Sequence, residues 1–344
     1  MSAPLLEVRD LVKHFPIKGG LLDRTVAVVH AVDGVSFSLE AGETLGIVGE
    51  SGCGKSTTAR LLVHLIEPDS GRVALEGHEI VRSSNRQRGG VPGGISINRA
   101  RRQMQMVFQD SFASLNPRLT VEDSIAFAPR VHGTPEREAR ARAQNLLAKV
   151  GLEPARFAGR YPHELSGGQR QRINIARALA LEPRIVILDE AVSALDKSVE
   201  AQVLNLLIDL KRELGLTYLF ISHDLNVVQY VSDRVMVMYL GKVVEIGPVA
   251  RIYARTGHPY TRALLSAMPS MDPDHRTSVP PLAGDPPNPI DPPSGCRFRT
   301  RCPHAEAVCA SREPLLAETE PGHRVACHML HAGSGHTAAP RAAA

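Results

Sequence analysis

Eight consecutive residues, Gly49-Glu50-Ser51-Gly52-Cys53-Gly54-Lys55-Ser56, constrain this chain more than any others. They match G-x-x-x-x-G-K-[ST], with Thr57 following, between an apolar run at Thr44–Val48 and helical apolar spacing over residues 56–66. Glycines let successive backbone N–H groups turn inward around phosphate oxygens. The following helix adds the positive end of its dipole, and Lys55 neutralises the outer phosphates. Ser56 offers a hydroxyl to Mg²⁺, which prefers octahedral oxygen ligands and retains water. A strand, a glycine loop and a helix in this order call for an α/β fold.

The remaining composition agrees. Of 344 residues, 43% are hydrophobic and 22% charged, which excludes wholesale disorder and collagen-like repeats. No run nears the roughly 18 uninterrupted apolar residues of a membrane-spanning helix. Met1-Ser2-Ala3-Pro4-Leu5 shows no basic region ahead of an apolar one, so the cytosol is the expected compartment. A net charge of +4 is too small to argue for nucleic acid.

Along the chain, β-branched strands alternate with helical patterns up to residue 266, and residues 1–266 read as one α/β domain. Further strands are expected at 185–188 and 217–221, and a glycine-turn hairpin at 235–246. Val203, Leu206, Leu207, Leu210 and Leu214 share one face of a helix expected over 200–214. Two stretches, 18–28 and 83–94, read as surface insertions. Over 267–295 prolines recur too often for helix or central strand, so an extended connector is expected. A Cys-rich segment follows at 296–330, and an Ala-, Gly- and His-rich tail at 331–344 is expected to be disordered.

Asp189-Glu190 ends the 185–188 strand. Two carboxylates there are costly unless they meet water or a cation. With the phosphate loop present, Asp189 reads as holding the second shell of Mg²⁺ and Glu190 as polarising an attacking water. Leu165-Ser166-Gly167-Gly168-Gln169 opens a helical run at residue 170. Ser166 and the glycine N–H groups offer a second anion site at a helix N-terminus, which a dimer would place over the partner's nucleotide. A plain Ser-Gly-Gly helix cap is the alternative.

The order phosphate loop, Gln109, Leu-Ser-Gly-Gly-Gln, Asp-Glu, Ser193-Ala194-Leu195-Asp196 and His223 resembles an ATPase subunit of ABC transporters over essentially residues 5–266. The resemblance implies a RecA-like core, an antiparallel β subdomain and a helical subdomain over about 110–180. It implies that ATP lies between residues 49–57 of one chain and 166–169 of another. Gln109 would sense Mg²⁺ and the γ-phosphate, Asp196 would cross the dimer interface, and His223 would reach the γ-phosphate. Phe15 is either the aromatic that stacks on adenine or a core residue. Ala191 stands where the family commonly has proline.

A narrower resemblance, to the oligopeptide and dipeptide permease ATPases, rests on four stretches. They are Phe108-Gln109-Asp110-Ser111-Phe112-Ala113-Ser114-Leu115-Asn116-Pro117, Tyr161-Pro162-His163-Glu164-Leu165, Gly257-His258-Pro259-Tyr260-Thr261-Arg262-Ala263-Leu264-Leu265, and Pro292-Pro293-Ser294-Gly295-Cys296-Arg297-Phe298-Arg299-Thr300-Arg301-Cys302-Pro303. It implies two membrane permease subunits, a second ATPase chain as heterodimer partner and an external solute-binding protein. Residues 112–117 would dock the permease, and the chain would lie peripherally on the cytoplasmic face of a bacterial inner membrane. The same resemblance leaves nickel, glutathione or another small solute as alternative cargo. A DNA-associated ATPase of the same superfamily is the remote alternative, against which the short span from Lys55 to Ser166 argues.

Cys296, Cys302, Cys309 and Cys327 have spacing C-x5-C-x6-C-x17-C. Four thiolates suit tetrahedral zinc or a [4Fe–4S] cluster, and the tight knuckles usual for structural zinc are missing. The permease resemblance favours the [4Fe–4S] cluster over zinc or free thiols. Cys53, inside the phosphate loop, is no ligand candidate.

Overall fold

The computed structural model describes residues 3–19, 23–81, 93–268, 284 and 287–340. Its strands are β1 (Leu6–Gly19), β2 (Arg24–Leu39), β3 (Thr44–Val48), β4 (Ser70–Leu75), β5 (His78–Val81), β6 (Ile95–Ser96), β7 (Met104–Val107), β8 (Ile185–Asp189), β9 (Thr217–Ile221), β10 (Arg234–Tyr239), β11 (Lys242–Pro248), β12 (Ala317–Glu320) and β13 (His323–Val325). The chain forms two compact units. One comprises Met1–Leu6, Leu39–Thr44 and Ala74–Ser222, the other Glu7–Ser38, Leu45–Val73 and His223–Ala344.

In the first unit β7, β8 and β9 run parallel, with Val107 opposite Leu188 and Asp189 opposite Ile221. Every residue of β8 and β9 is buried, which is why their sequences are continuous apolar runs rather than alternating ones. Helices Val121–Val131, Glu136–Lys149 and Gly167–Leu179 pack on one another within the span expected to be helical. The Lys197–Leu214 helix starts three residues before the expected 200, because the Asp196 side chain caps it. It stops at Gly215, whose φ of 62° is a left-handed C-terminal cap.

The second unit orders its strands β12-β13-β11-β10-β3. β3 runs parallel to β10, and β10 returns antiparallel as β11 through Leu240-Gly241, both at positive φ, 44° and 79°. This is the two-residue turn that matches strand twist. The helix after the phosphate loop covers Lys55–Leu62, shorter than the expected 56–66, since His64 takes a φ of 54°.

Three expectations change. Residues 18–19 and 24–28 belong to β1 and β2, so the stretch is mostly a strand pair and not a looping insertion. Its outer residues are exposed, Val26 by 66%, so no burial pattern announces the strands. The insertion at 83–94 lies outside the described residues except for 93–94, and the connector except for 267–268, 284 and 287–295. Residues 331–340 are folded, not disordered. Ser334 Oγ donates to the His328 carbonyl at 2.6 Å, and Thr337 N–H to Glu306 at 3.0 Å. The Cys-rich segment joins a sheet edge, where β13 pairs with β11, Val325 opposite Glu245.

That sheet edge is fastened by a buried carboxylate. Glu245 is fully buried and accepts from Gly257 N–H (2.7 Å), His258 N–H (3.0 Å) and the His323 ring (2.7 Å). These bonds hold its pKa below the usual range although burial alone raises it. His258 is wholly buried, its Nδ1 accepts from Tyr260 N–H at 3.1 Å, and burial pushes its pKa down to about 4.

Candidate active site

The phosphate loop lies in the second unit and is built on glycines that nothing else replaces. Gly49 and Gly54 have φ of 149° and 103°. A Cβ on Gly49 would stand 2.2 Å from the Met238 carbonyl oxygen, and one on Gly54 2.2 Å from that of Ala31. Gly52 also has positive φ, 78°. Gly241 N–H, at the β10–β11 turn, donates to the Cys53 carbonyl at 3.0 Å, so the hairpin props the loop. Lys55 opens the helix with its side chain buried, its ammonium donating to the carbonyls of Gly49 (2.7 Å) and Glu50 (3.0 Å). Charge is thereby held at the loop's centre. Ser51 and Gly52 are exposed, Ser56 and Thr57 half-buried. Burial pushes the Cys53 thiol up.

Glu50 is the exception among these residues. Its N–H donates to Tyr260 Oη at 2.9 Å and its carboxylate is gripped by Arg301, so both polar ends have partners in the protein. Phe15 sits half-buried on β1 with the Lys13 ammonium 5.5 Å from its ring centroid. His223 is exposed directly after β9, and Asp224 beside it caps the Leu225–Val231 helix.

In the first unit, the ends of two parallel strands bring Gln109 and Glu190 together: Gln109 Nε2 donates to Glu190 Oε2 at 2.9 Å. Asp189, 3% exposed, closes β8. Glu190 then takes a φ of 48° and donates its N–H to the Ile221 carbonyl at 3.0 Å. This left-handed conformation turns the carboxylate out of the strand direction, and a non-glycine residue held there is a strain that functional sites tolerate. Ala191, in place of proline, is buried.

Ser166 and Gln169 form a capping box on the Gly167–Leu179 helix: Ser166 Oγ accepts from Gln169 N–H at 3.3 Å and Gln169 Oε1 from Ser166 N–H at 3.0 Å. A Cβ on Gly168 would stand 2.4 Å from Val199 Cγ1, so that glycine lets this helix end approach the helix Asp196 caps. Asp196 is exposed. It accepts from Val199 N–H (2.9 Å) and Ser198 Oγ (2.8 Å), which hold its pKa down. Gln109, Asp189, Glu190, Asp196 and Ser166–Gln169 thus share one unit, and the phosphate loop, Phe15 and His223 the other.

A family model described as ABC transporter matches residues 32–193, and one described as the C-terminal region of oligopeptide/dipeptide transporters matches residues 244–309. The chain is 52% identical to the oligopeptide transport ATP-binding protein AppF of Bacillus subtilis (strain 168), over 94% of this chain and 97% of that one. It belongs to the ATP-binding proteins of ABC transporters. A probable peptide ABC transporter ATP-binding protein of Sinorhizobium fredii is 50% identical over 96% of this chain and 91% of its own length. Among solved structures, the cbiO1 protein of Clostridium perfringens, part of an ABC transporter complex, superimposes with a TM-score of 0.61. It is 30% identical and covers 73% of this chain and 91% of its own. An ATP-binding cassette solved as a post-hydrolysis dimer with ADP and Pi gives a TM-score of 0.58 at 27% identity, over 71% of this chain and 98% of its own. This ABC protein is therefore an ATPase. Among its described residues no helix is long and apolar enough to cross a membrane.

Sequence reasoning passed over Arg301 and Tyr260, which it met only inside longer motifs. Each lies more than 200 positions from Glu50, 251 and 210 respectively, and no local pattern pairs residues so far apart.

Proposed function

We propose that this chain hydrolyses MgATP to drive import of di- and oligopeptides through a membrane permease. The observation that carries the catalytic part is the 2.9 Å hydrogen bond fixing Glu190 against Gln109. A carboxylate so oriented polarises a water that attacks the γ-phosphorus, while the β–γ bridging bond breaks and ADP leaves with the bridging oxygen. Lys55, the glycine N–H groups of the loop and His223 stabilise charge on the phosphates. Ser56 and Gln109 would offer Mg²⁺ oxygen donors and Asp189 would hold its second shell, a set that suits this hard cation. Phe15 stacks on adenine.

Ser166–Gln169 of one chain cap the nucleotide held on residues 49–57 of its partner, and Asp196 lies along the interface between them. A nucleotide-bound dimer among the related solved structures supports this arrangement. The capping box does not compete with it, since Ser166 remains exposed and the Gly167 and Gly168 N–H groups begin the helix. The partner is a second ATPase chain, and two permease subunits with an external solute-binding protein complete the assembly on the cytoplasmic face of the inner membrane. Phe112, 53% exposed in the loop after Gln109, offers the permease an apolar contact.

Peptide cargo is favoured over nickel or glutathione because the relatives are named for oligopeptide and peptide transport across nearly the whole chain. Uptake of labelled di- and tripeptides in a deletion strain tests it: complementation by this gene but not by a Glu190→Gln copy is expected. Unchanged peptide uptake in the deletion strain would remove the peptide reading.

The permease resemblance supports a [4Fe–4S] cluster on the four cysteines of the C-terminal segment, none of which is in a disulfide and whose thiols lie near enough to act on one another electrostatically. Burial pushes Cys296 up to about 11 and Cys327 to about 12, so a metal charge is what would keep them as thiolates. Bound there, the cluster supplies iron–thiolate bonds that cross-link positions 296, 302, 309 and 327. Anaerobic purification is expected to give brown protein with iron and sulfide near four each per chain. Colourless, iron-free protein contradicts the assignment.

A further inference from the structure

The geometry points to Arg301 as a positioning residue for the phosphate loop, tying the Cys-rich segment to the grip on nucleotide through Glu50. The inference rests on the reading of residues 49–56 as the ATP-binding loop. Arg301 Nη1 donates to Glu50 Oε2 at 2.8 Å and Nη2 to Oε1 at 3.1 Å, a bidentate fork. The arginine side chain is 5% exposed and the glutamate 23%, so the pair is largely shielded from water. Tyr239 Oη takes a further bond from Nη1 at 3.4 Å.

The segment touches the loop's surroundings at a second point. Arg297 donates from Nη1 to the Leu240 carbonyl at 2.6 Å and from Nη2 to the Asp33 carboxylate. The next residue, Gly241, donates to the Cys53 carbonyl inside the loop. Between the two arginines, Phe298 packs on Tyr239 and Tyr260, each with ring centroids 5.4 Å away, and Tyr260 receives the Glu50 N–H. Both ends of this stretch are cysteines, Cys296 and Cys302. Whatever fixes the cysteines also fixes the arginines.

Charge explains why the fork matters. A loop that must receive a triphosphate carries a carboxylate at its second position. Paired, Glu50 is neutralised and held; unpaired, it repels the anion and releases the loop. Arg301 acts on the nucleotide only through Glu50, and a second substitution that removes the carboxylate should therefore undo the loss of the arginine.

Calorimetric titration of the full chain with MgATP tests this. Arg301→Gln is expected to raise the dissociation constant about tenfold. The double variant Glu50→Gln/Arg301→Gln is expected to return within about threefold of the parent, a rescue that a purely structural arginine would not show. In steady state the single variant should raise KM with kcat nearly unchanged. Arg299→Gln, which alters a neighbour that donates to the Ser294 carbonyl, is the control and should bind as the parent does. If Arg301→Gln does not fold, Arg301→Lys carries the test, because a point charge without the fork should weaken binding about threefold. Parent-like affinity in the arginine variant, or a double variant no tighter than the single, overturns the clasp while leaving the ATP site intact. A parent chain that binds no MgATP overturns the loop reading and the clasp with it.

Discussion

Glu190 and Gly54 show how much function rests on single backbone conformations. Glu190→Gln keeps the Gln109 contact available but removes the charge proposed to polarise water. Phosphate release is expected to fall about 10²–10⁴-fold with ATP binding retained, the range typical for loss of a general base. Turnover at the parent rate would reassign the base. Gly54→Ala puts a Cβ 2.2 Å from the Ala31 carbonyl oxygen at a φ of 103°, so the loop must deform. Loss of MgATP binding by calorimetry is expected, and parent-like affinity would contradict the geometry. These positions were legible in the sequence because each belongs to a short local pattern whose residue types serve one purpose. Arg301 was not, because its partner is 251 positions away and an arginine in isolation says nothing about which carboxylate it meets.

At the scale of elements, the buried strands announced themselves. β3, β8 and β9 are apolar apart from a polar residue at one end of each because they are buried along their whole length. The 24–28 end of β2 did not, since exposed residues held by strand pairing carry no hydrophobic signature. The folded residues 331–340 were missed for a similar reason: backbone and hydroxyl bonds to residues 306 and 328, not apolar burial, hold them. The observed capping role of Asp196 and its proposed interface role separate by substitution. The residue caps the Lys197–Leu214 helix, so Asp196→Ala should lower the denaturant midpoint of unfolding. Asp196→Ser preserves a cap and should restore stability while still lowering ATPase activity, because it removes the carboxylate from the proposed dimer interface. Full activity in the serine variant would leave capping as the residue's only role.

For the whole molecule, acid sensitivity follows from the edge of the second unit. His258 is neutral in the fold, with a pKa of about 4 against 6.5 in an unfolded chain. Below 6.5 the unfolded state takes up a proton that the folded state refuses, so stability falls as pH drops. Glu245, held below its usual range, adds a loss in the same direction at lower pH, when its folded form is finally protonated. Urea unfolding should show about 2 kcal/mol less stability at pH 5 than at pH 7.5 from His258 alone. Stability unchanged over that window would mean that the histidine is not buried as described. The proposed function has two chains share each nucleotide. The most direct test is a cryo-EM map of the Glu190→Gln protein with its partner ATPase and MgATP. Ser166 and the Gly168 N–H within hydrogen-bonding reach of a triphosphate seated on the partner chain's phosphate loop is the predicted result. A nucleotide bound on Lys55 with every partner Ser166 facing solvent would contradict it.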